Sequence, residues 1–371
     1  MDRYLAIDSG KNATKVAIYD PEKNSTKKLA FLTKIGDGDF SDDSIESGTF
    51  LAEMDGKVYK VGKGAKFNAE LETSKMTDIH KICTLSAIAM CLNADEENTV
   101  HVAIGIPVKE FENVEKRNAY RNFILPDGEI SVKLKPKNGE EPKTVKFTIK
   151  TKLVAPESSG VLYLNPTKFQ NTTTATVDIG SLNVNGSYWS GFDLDSEFSM
   201  TGELGSQILI AGLAQELSAE FSRCDEKLVA SILRQPLDKR HLTPIRQNPE
   251  VEQRSAEFIH KYLVEHVRKI KALCNAKNWS LDYMELVFIG GTSKMLENEL
   301  YEVFGHEIYI APDPVYANVL GFLTKLCSKT LEIVIPDAIE VMDKMNVSDV
   351  VYSDEDGVGD DDEDGEIADV G

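Results

Sequence analysis

Apolar and polar positions along the chain change period many times, and each change marks an element. "YLAID" (Tyr4 to Asp8) reads as a strand that closes at Gly10, and "KVAIYD" (Lys15 to Asp20) resumes the strand pattern. The first 20 residues are therefore expected as strand, tight turn, strand. The Asp20-Pro21 step starts a turn toward a third strand, "TKKLAFLTKI". From Ile35 to Ser74 the character shortens. "GDGDFSDDSIESG" is loop-like, and "TFLAEMDGKVYKVG" holds two short strands around Asp55-Gly56, a strong hairpin signal. This region, about 35–74, is expected as a small inserted lobe. "TDIHKICTLSAIAMCLN" has helical character, with Thr77 at the capping position. "TVHVAIGIP" is almost continuously apolar, as in a sheet covered on both faces. "KEFENVEKRNAYRNFIL" reads as one amphipathic helix, and "EISVKLKPKNGEEPKTVKFTIKTKLVAPE" as two strands around a polar turn. A helix, "SSGVLYLN", begins after Pro156-Glu157.

The second half restarts the pattern. "TATVDIGSLNVNGSYW" (Thr174 to Trp189) has the shape of the N-terminal hairpin about 170 residues earlier: apolar run, Asp-x-Gly, polar turn, apolar run. "GSYWSGFDLDSEFSM" continues as strands, and "TGELGSQILIAGLAQELSAEF" is a Gly-bearing turn entering a helix. "VEQRSAEFIHKYLVEHVRKIKALCNAKNW" predicts a long amphipathic helix with apolar positions at Phe258, Tyr262, Val267, Ile270, Leu273 and Cys274. "MELVFIGGTSKMLENELYEVF" is buried strand, Gly-Gly turn, helix; "HEIYIAPDPVYANVLGFLTKLC" is a short strand, a loop and a helix. Strands alternating with helices in each half give an α/β class. The length, 371 residues, suits two domains of roughly 150 residues. "LEIVIPDAIEVMDKM" could add one more strand or docking segment, and beyond Asn346 the composition cannot bury a core, so disorder is expected.

Charge sharpens that division. The net charge is −20, yet the final stretch "SDEDGVGDDDEDGEIADVG" holds ten acids and no base. The body is only mildly acidic, and without a basic patch it is not expected to grip a nucleic-acid backbone directly. "DDDEDGEI" from Asp360 places acids at positions 1, 3 and 5 and Gly at 6 of a calcium-loop pattern, but position 12 would be Gly371, so a solvated tail is favoured over calcium binding. No basic region followed by an apolar core opens the chain, and no run approaches a membrane span, so a cytoplasmic, membrane-free protein is expected. The five cysteines, Cys83, Cys91, Cys224, Cys274 and Cys327, form no CxxC pair, which argues against a zinc site or a disulfide framework.

Several chemistries are absent from the sequence. There is no G-x-x-x-x-G-K-[ST], no G-x-G-x-x-G opening a helix after a strand, no G-x-S-x-G and no H-E-x-x-H. What stands out is three Gly-bearing turns after buried strands: Asp8-Ser9-Gly10, Asp178-Ile179-Gly180 and Gly290-Gly291-Thr292. A phosphate chain needs backbone N–H groups brought close, which favours Gly with hydroxyls beside it. The divalent ion that accompanies nucleotide phosphates prefers carboxylates and water. Two such hairpins facing each other could hold phosphates, each giving one Asp toward the metal, while the Gly-Gly turn leaves room for a base or ribose. Glycine is also an ordinary way to end a buried strand, and Asp a common turn residue. The duplicated form, with a third turn at a later position, favours the phosphate reading.

These residues resemble the actin, Hsp70 and sugar-kinase ATPase superfamily, and within it the plasmid-segregating, ParM-like bacterial actins. "AIDSGKNATKVAI" resembles the first phosphate loop, "TVDIGSLNVNGS" the second and "VFIGGTSKM" the adenosine motif. "VAIGIPVKEF" followed by "RNAYRNFIL", "LVAPESSGVLYL", "TGELGSQIL" and "VYANVLGFL" fall in the family's order, over roughly residues 1–328.

The resemblance implies two related actin-like (ribonuclease H-like) domains flanking a nucleotide cleft. Domain I would span 1–175 and domain II 176–328, with the last helix, about 314–328, packing back on domain I. An acidic extension, 329–371, would follow. It implies an ATPase that polymerises to segregate plasmid DNA, using Mg²⁺ and ATP, with GTP as the alternative. Asp8, Ser9, Gly10, Lys11, Asn12 and Lys15 would form one jaw, and Gly180, Ser181, Leu182 and Asn183 the other. Gly290, Gly291 and Thr292 would sit against the nucleoside. Asp8 and Asp178 would hold the metal mostly through waters. Asp178 and Glu157 would be the catalytic carboxylates, Glu157 orienting the attacking water; an acid at a helix N-terminus is also favoured by the dipole alone. The partners would be further copies of the chain and an adaptor protein bound to centromere-like DNA. A small-molecule kinase of the same fold and a cell-shape-type actin are the alternatives. Two departures from the family pattern stand out: Ser181-Leu182-Asn183 where Gly-Thr-Thr is frequent, and Thr292 where a third Gly is common.

Overall fold

In the computed structural model, residues 2–42, 44–68, 74–244, 248–335 and 339–341 are described. Their strands, in chain order, are β1 (Asp2–Ser9), β2 (Ala13–Asp20), β3 (Ser25–Leu32), β4 (Lys34–Asp37), β5 (Thr49–Met54), β6 (Lys57–Gly62), β7 (Phe67–Asn68) and β8 (Asn98–Ile106). They continue with β9 (Glu129–Lys135), β10 (Lys143–Pro156), β11 (Thr173–Ile179), β12 (Val184–Ser190), β13 (Asp193–Gly202), β14 (Glu285–Ile289), β15 (Tyr309–Ile310) and β16 (Ile339–Val341). They form two sheets, ordered β16-β3-β2-β1-β8-β10-β9-β5-β6-β4-β7 and β13-β12-β11-β14-β15. The acidic tail, its calcium-loop pattern and the disorder expected after Asn346 lie outside the described residues.

Both sheets are organised around one antiparallel hairpin joined to parallel strands. β1 pairs antiparallel with β2 and parallel with β8, and β8 pairs parallel with β10. β11 pairs antiparallel with β12 and parallel with β14. In the first sheet Ile7 stands beside Ile104, and Ile104 beside Val154. The continuous apolar runs of β1 and β8 are buried on both faces, as parallel strands covered by helices require. All three parallel strands therefore end on the same edge, bringing Asp8 near Glu157 although they are far apart in sequence. Ligands of open α/β sheets bind outside such carboxyl ends.

Each sheet has its own apolar core. The first gathers Leu5, Phe31, Phe50, Ile88 and Phe147, and the second gathers Leu209, Leu213, Ile259, Val267 and Phe288. The helix Ala317–Thr324 belongs to the first core although the preceding chain runs through the second sheet: Val319, Leu320, Phe322 and Leu323 pack with β1, β2 and β8. The chain thus passes between the two sheets at 156–160 and again at 311–317. At this passage the helices Gly160–Leu164 and Ala317–Thr324 cross in close contact, and a Cβ added at Gly321 would collide with the Gly160 carbonyl oxygen. A third cluster, with Val161, Leu162, Phe169, Trp189 and Val287, fixes the first crossing segment against the second sheet.

Several expectations change on contact with the structure. The inserted segment does not stand apart: β5 pairs with β9, so the first sheet runs on into it. Its hairpin forms at Asp55-Gly56 with both residues at positive φ, 52° and 76°, as a primed turn requires. The single helix expected over 109–125 is two, Val108–Phe111 and Val114–Ile124, because the Asn113 side chain accepts the Lys116 N–H and restarts the helix. Thr77 holds the capping position of Asp78–Met90, but its hydroxyl bonds the His80 ring instead of the helix backbone. The long helix runs Pro249–Ala276 and buries Ile259, Leu263, Val267, Ile270 and Cys274; Phe258, Tyr262 and Leu273 flank that stripe half-buried.

The crossing at Gly321 sets a stability prediction. Gly321→Ala should lower the unfolding free energy by about 1–3 kcal/mol, the usual penalty of overpacking, and lower the thermal midpoint accordingly. An unchanged midpoint in a thermal melt would show that the two helices can separate at no cost.

Candidate functional site

Between the two sheets lies a cleft of ≈ 390 Å³, lined by both hairpin turns, by Glu157 and by Gly290, Gly291 and Thr292. The two turns are built alike. Gly10 N–H donates to the Ala13 carbonyl at 3.0 Å, and Gly180 N–H donates to the Asn183 carbonyl at 2.9 Å. Register explains the residues at their bases: Asp8 stands across the ladder from Lys15, and Asp178 across from Asn185. The repeated sequence pattern is thus repeated geometry. The furnishing differs: a lysine faces the first Asp and an amide the second.

The second turn is braced from behind. The helix Ser206–Glu220 begins against it, with Ser206 N–H donating to Gly180 O at 3.1 Å and Gln207 N–H to Ser181 O at 2.8 Å. Thr292 Oγ1 donates to the same Gly180 carbonyl at 2.9 Å. The threonine therefore ties the Gly290–Thr292 turn to the second hairpin turn. Gly290 sits at φ 92°, and a Cβ there would strike Asp178 Oδ1, so the conformation and the neighbouring carboxylate both demand glycine.

Of the residues singled out from the sequence, Asp8, Gly10, Lys11, Asn12, Lys15, Glu157, Asp178, Gly180, Ser181, Leu182, Asn183, Gly290, Gly291 and Thr292 all line this cleft. Ser9 does not. Strand alternation turns its side chain away, and its hydroxyl is hydrogen-bonded to Thr14 Oγ1 at 3.1 Å, which continues to Thr33 at 2.9 Å.

Two residues not assigned a role from the sequence organise the floor of the cleft. Lys75 is buried, with its Nζ 2.9 Å from Asp8 Oδ1 and 2.5 Å from Glu157 Oε1. Nothing in "TSKMTD" distinguishes this lysine; it precedes a helix and belongs to no motif. Asn318, in the crossing helix, donates from Nδ2 to Asp178 Oδ2 at 3.0 Å and accepts the Ser158 N–H on Oδ1 at 3.0 Å. Ser158 holds φ 69°, a sparsely populated conformation for serine, immediately after Glu157. One amide side chain therefore links the second-jaw carboxylate to the turn that carries Glu157. Asn318 lies within a stretch, "VYANVLGFL", that the sequence marks only as a helix in the family's order.

The electrostatics follow from burial. Burial pushes the Asp8 carboxyl up, but Lys75 and Lys15 beside it more than offset this and hold it below the usual range. Glu157 is raised by burial and by Asp8, against the pull of Lys75. Asp178 is also raised by burial, against Lys15. Burial opposes the Lys75 charge, but Asp8 and Glu157 hold its pKa well above the ordinary value. The floor is thus a tight ionic cluster in which Asp8 carries the firm negative charge while Glu157 and Asp178 are both shifted toward neutrality.

The donor set fits an anionic ligand with a hard cation. Lys11, Lys15 and Lys109 line the cleft beside the two turns, and the Asp8 and Asp178 carboxylates could reach an ion from opposite sides. Among the described residues no three His, Cys, Asp or Glu converge as a metal cage, so an ion here would take the rest of its shell from water and ligand oxygens. No described helix is long and apolar enough to cross a membrane.

The fold is actin-like. Residues 6–160 match the family model described as the actin-like proteins' N-terminal domain. Among solved structures, the chain is similar to the Alp12 filament structure at 22% identity, covering 89% of this chain and 99% of that one, with a TM-score of 0.68. It is similar to the apo psk41 ParM protein at 14% identity, covering 87% and 96%, with a TM-score of 0.63. It is also similar to the ADP complex of Ta0583, an archaeal actin homolog, at 17% identity, covering 86% and 97%, with a TM-score of 0.60. No curated protein matches the chain. The resemblance read from the sequence holds: the chain has the actin-like fold, shared with ParM.

One buried group beside the cluster makes a pH prediction. His80 is fully buried; its Nδ1 lies 2.8 Å from Thr77 Oγ1, and Nε2 has no partner among the described residues. Burial, reinforced by the Lys75 ammonium, pushes its pKa down to about 3. Its folded value lies below the unfolded one, so its contribution to stability is complete above about pH 6.5 and is lost as pH falls toward 3. Between pH 7.5 and 5.0 the wild type should lose about 2 kcal/mol more unfolding free energy than His80→Gln. Parallel losses in urea titrations of the two proteins would show that His80 does not titrate on unfolding.

Proposed function

We propose that this chain binds ATP with Mg²⁺ in the cleft, hydrolyses it, and polymerises into filaments that segregate plasmid DNA. The observation that carries the reading is the pair of like-built turns, Gly10 to Ala13 and Gly180 to Asn183, facing one cleft with Asp8, Asp178 and Glu157. The Alp12 neighbour is a filament and a Ta0583 neighbour holds ADP, which supports assembly and nucleotide binding in this fold.

The chain's own residues supply position and charge. The backbone of the two turns grips the phosphates from opposite domains, and Lys11 and Lys15 offset their charge. Asp8 and Asp178 would hold the ion. Bound Mg²⁺ would neutralise phosphate charge as the terminal phosphoryl group is transferred to water. Glu157 orients that water and accepts its hydrogen bond, with Ser158 and Asn318 fixing the carboxylate's approach. Gly290, Gly291 and Thr292 face the nucleoside.

Because the cleft lies between two domains, ligand gripped from both sides favours one relative orientation of them. A head-to-tail contact that depends on this orientation repeats without closing and gives a filament. Attachment to DNA would run through an adaptor bound to a centromere-like site.

The reading is tested by sedimentation and electron microscopy with ATP, GTP and ADP, each with Mg²⁺. Triphosphate should drive the protein into a pellet of filaments. Protein that stays in the supernatant over a wide concentration range defeats the assembly reading. Glu157→Ala should still assemble, with phosphate release slowed about a hundredfold or more; release at the wild-type rate would remove Glu157 from the chemistry.

A further inference from the structure

Three hydroxyls stand behind the first turn, on the side away from the cleft. Ser9 Oγ lies 3.1 Å from Thr14 Oγ1, and Thr14 Oγ1 lies 2.9 Å from Thr33 Oγ1. Ser9 is 4% exposed and both threonines are fully buried. Burying hydroxyls is costly, and the cost is offset only when each is bonded. The middle one, Thr14, also meets the buried Cys83 thiol, which burial pushes up to about 12 and so keeps neutral.

The hairpin itself does not require these hydroxyls. Ser9 and Thr14 are the last pair of the first ladder before its turn, next to Asp8 and Lys15. In the second hairpin the same place is held by Ile179 and Val184, both fully buried, next to Asp178 and Asn185. Two like-built turns therefore sit on a hydroxyl pair in one sheet and an apolar pair in the other. What differs is the brace. The second turn receives N–H groups from the start of the helix Ser206–Glu220 and the hydroxyl of Thr292. Among the described residues no helix start donates to the first turn. Thr33 holds it instead: its N–H donates to the Asn12 carbonyl at 2.8 Å while its hydroxyl meets Thr14. The segment from Gly10 to Ala13 is thus tied at its tip by the Thr33 backbone and at its base by the hydroxyl chain, both to the junction of β3 and β4.

We propose that Ser9, Thr14 and Thr33 are positioning residues of the nucleotide site: their hydroxyl chain fixes the first turn at the spacing at which its N–H groups, Lys11 and the Asp8–Lys15 pair meet the phosphates. This rests on the nucleotide reading above and deepens it. The three hydroxyls touch neither ligand nor reacting atoms. They act through Asp8 and Lys15, which alternate with Ser9 and Thr14 along the strands and line the cleft. A turn held in place before the ligand arrives loses little freedom on gripping it, so its preorganisation is read as affinity. A displaced turn also misaligns the phosphates, and transfer to water depends on that alignment.

The test uses the full-length chain with Mg²⁺ and compares wild type, Thr14→Val, Thr14→Ser and the triple variant Ser9→Ala/Thr14→Val/Thr33→Val. Valine keeps the shape of threonine and loses its hydroxyl. The triple variant is apolar throughout, as the second hairpin already is at this place. It leaves no hydroxyl of the chain unpaired, so it remains informative if Thr14→Val alone is unstable. Titration gives the affinities for ADP and for a non-hydrolysable ATP analogue, and phosphate release gives KM and kcat, all well below the thermal midpoint of each variant. Thr14→Val and the triple variant should bind both nucleotides about ten- to thirtyfold more weakly, within the range of a lost buried hydrogen bond, and raise KM by a similar factor. Thr14→Ser should stay within about threefold of wild type. A purely structural role would lower the fraction of folded protein, and with it kcat, at unchanged KM. A triple variant that binds and turns over nucleotide as wild type does, or a Thr14→Ser as weak as Thr14→Val, overturns the assignment. Wild type that binds neither nucleotide would defeat the nucleotide reading itself, an outcome distinct from the failure of the hydroxyl chain.

Discussion

Three carboxylates, Asp8, Glu157 and Asp178, are held at one cleft, and the Asp8 charge opposes ionisation of the other two. Much of the surrounding structure is arranged to tolerate that repulsion. Lys75 bridges the first two, and Asn318 donates to the third. Without these donors the buried negative charge would have to be neutralised by protonation or would push the strand ends apart. The parallel pairing of β1, β8 and β10 makes the problem unavoidable, since it brings Asp8 and Glu157 to the same edge. The carboxylate cluster is therefore a property of the topology as much as of any single residue.

The same cluster ties the two halves together. Asn318 stands in a helix packed on the first sheet, yet its side chain bonds Asp178 at the end of a strand in the second. Its other end bonds the backbone just after Glu157. The helix can lie this close only because Gly160 and Gly321 meet without side chains. A further tie sits nearby: Lys28 of β3 pairs with Asp313 and lies over the Tyr316 ring at 4.6 Å, joining the first sheet to the second crossing. Any rotation of one sheet against the other must pass through these contacts.

How much of this was legible in the sequence depends on how local each signal is. The two hairpins were legible because a buried strand, an Asp, a Gly and a second strand fit within some 17 residues, and the duplication removed the ambiguity of either alone. The α/β class followed from the alternation of strand and helix patterns. The break at Asn113 was missed because apolar spacing continues across it, and only the capping bond, which spacing does not reveal, interrupts the helix. Ser9 was misplaced because a hydroxyl beside a glycine fits a phosphate loop as readily as it fits the Thr14–Thr33 chain behind it. Lys75 carries no local signal, and the Asn-Gly pattern around Asn318 marks a helix but not its bonds. Their meaning comes from contacts to residues 67 and 140 positions away, which the sheet order creates and no window of sequence contains.

The duplication is also unequal in a way that bears on mechanism. Across the ladder from Asp8 stands Lys15, while across from Asp178 stands Asn185. The first sheet further contributes Lys75 at its floor, whereas the second contributes turns braced by backbone bonds from the helix Ser206–Glu220 and by Thr292. Cationic side chains thus cluster on the first sheet, and the backbone-braced turn lies on the second. An anionic ligand entering such a cleft would alter the pairing of Lys75 and Lys15 while leaving the second jaw little changed. The side whose cationic pairing an anionic ligand would disturb is then the side that also carries Glu157.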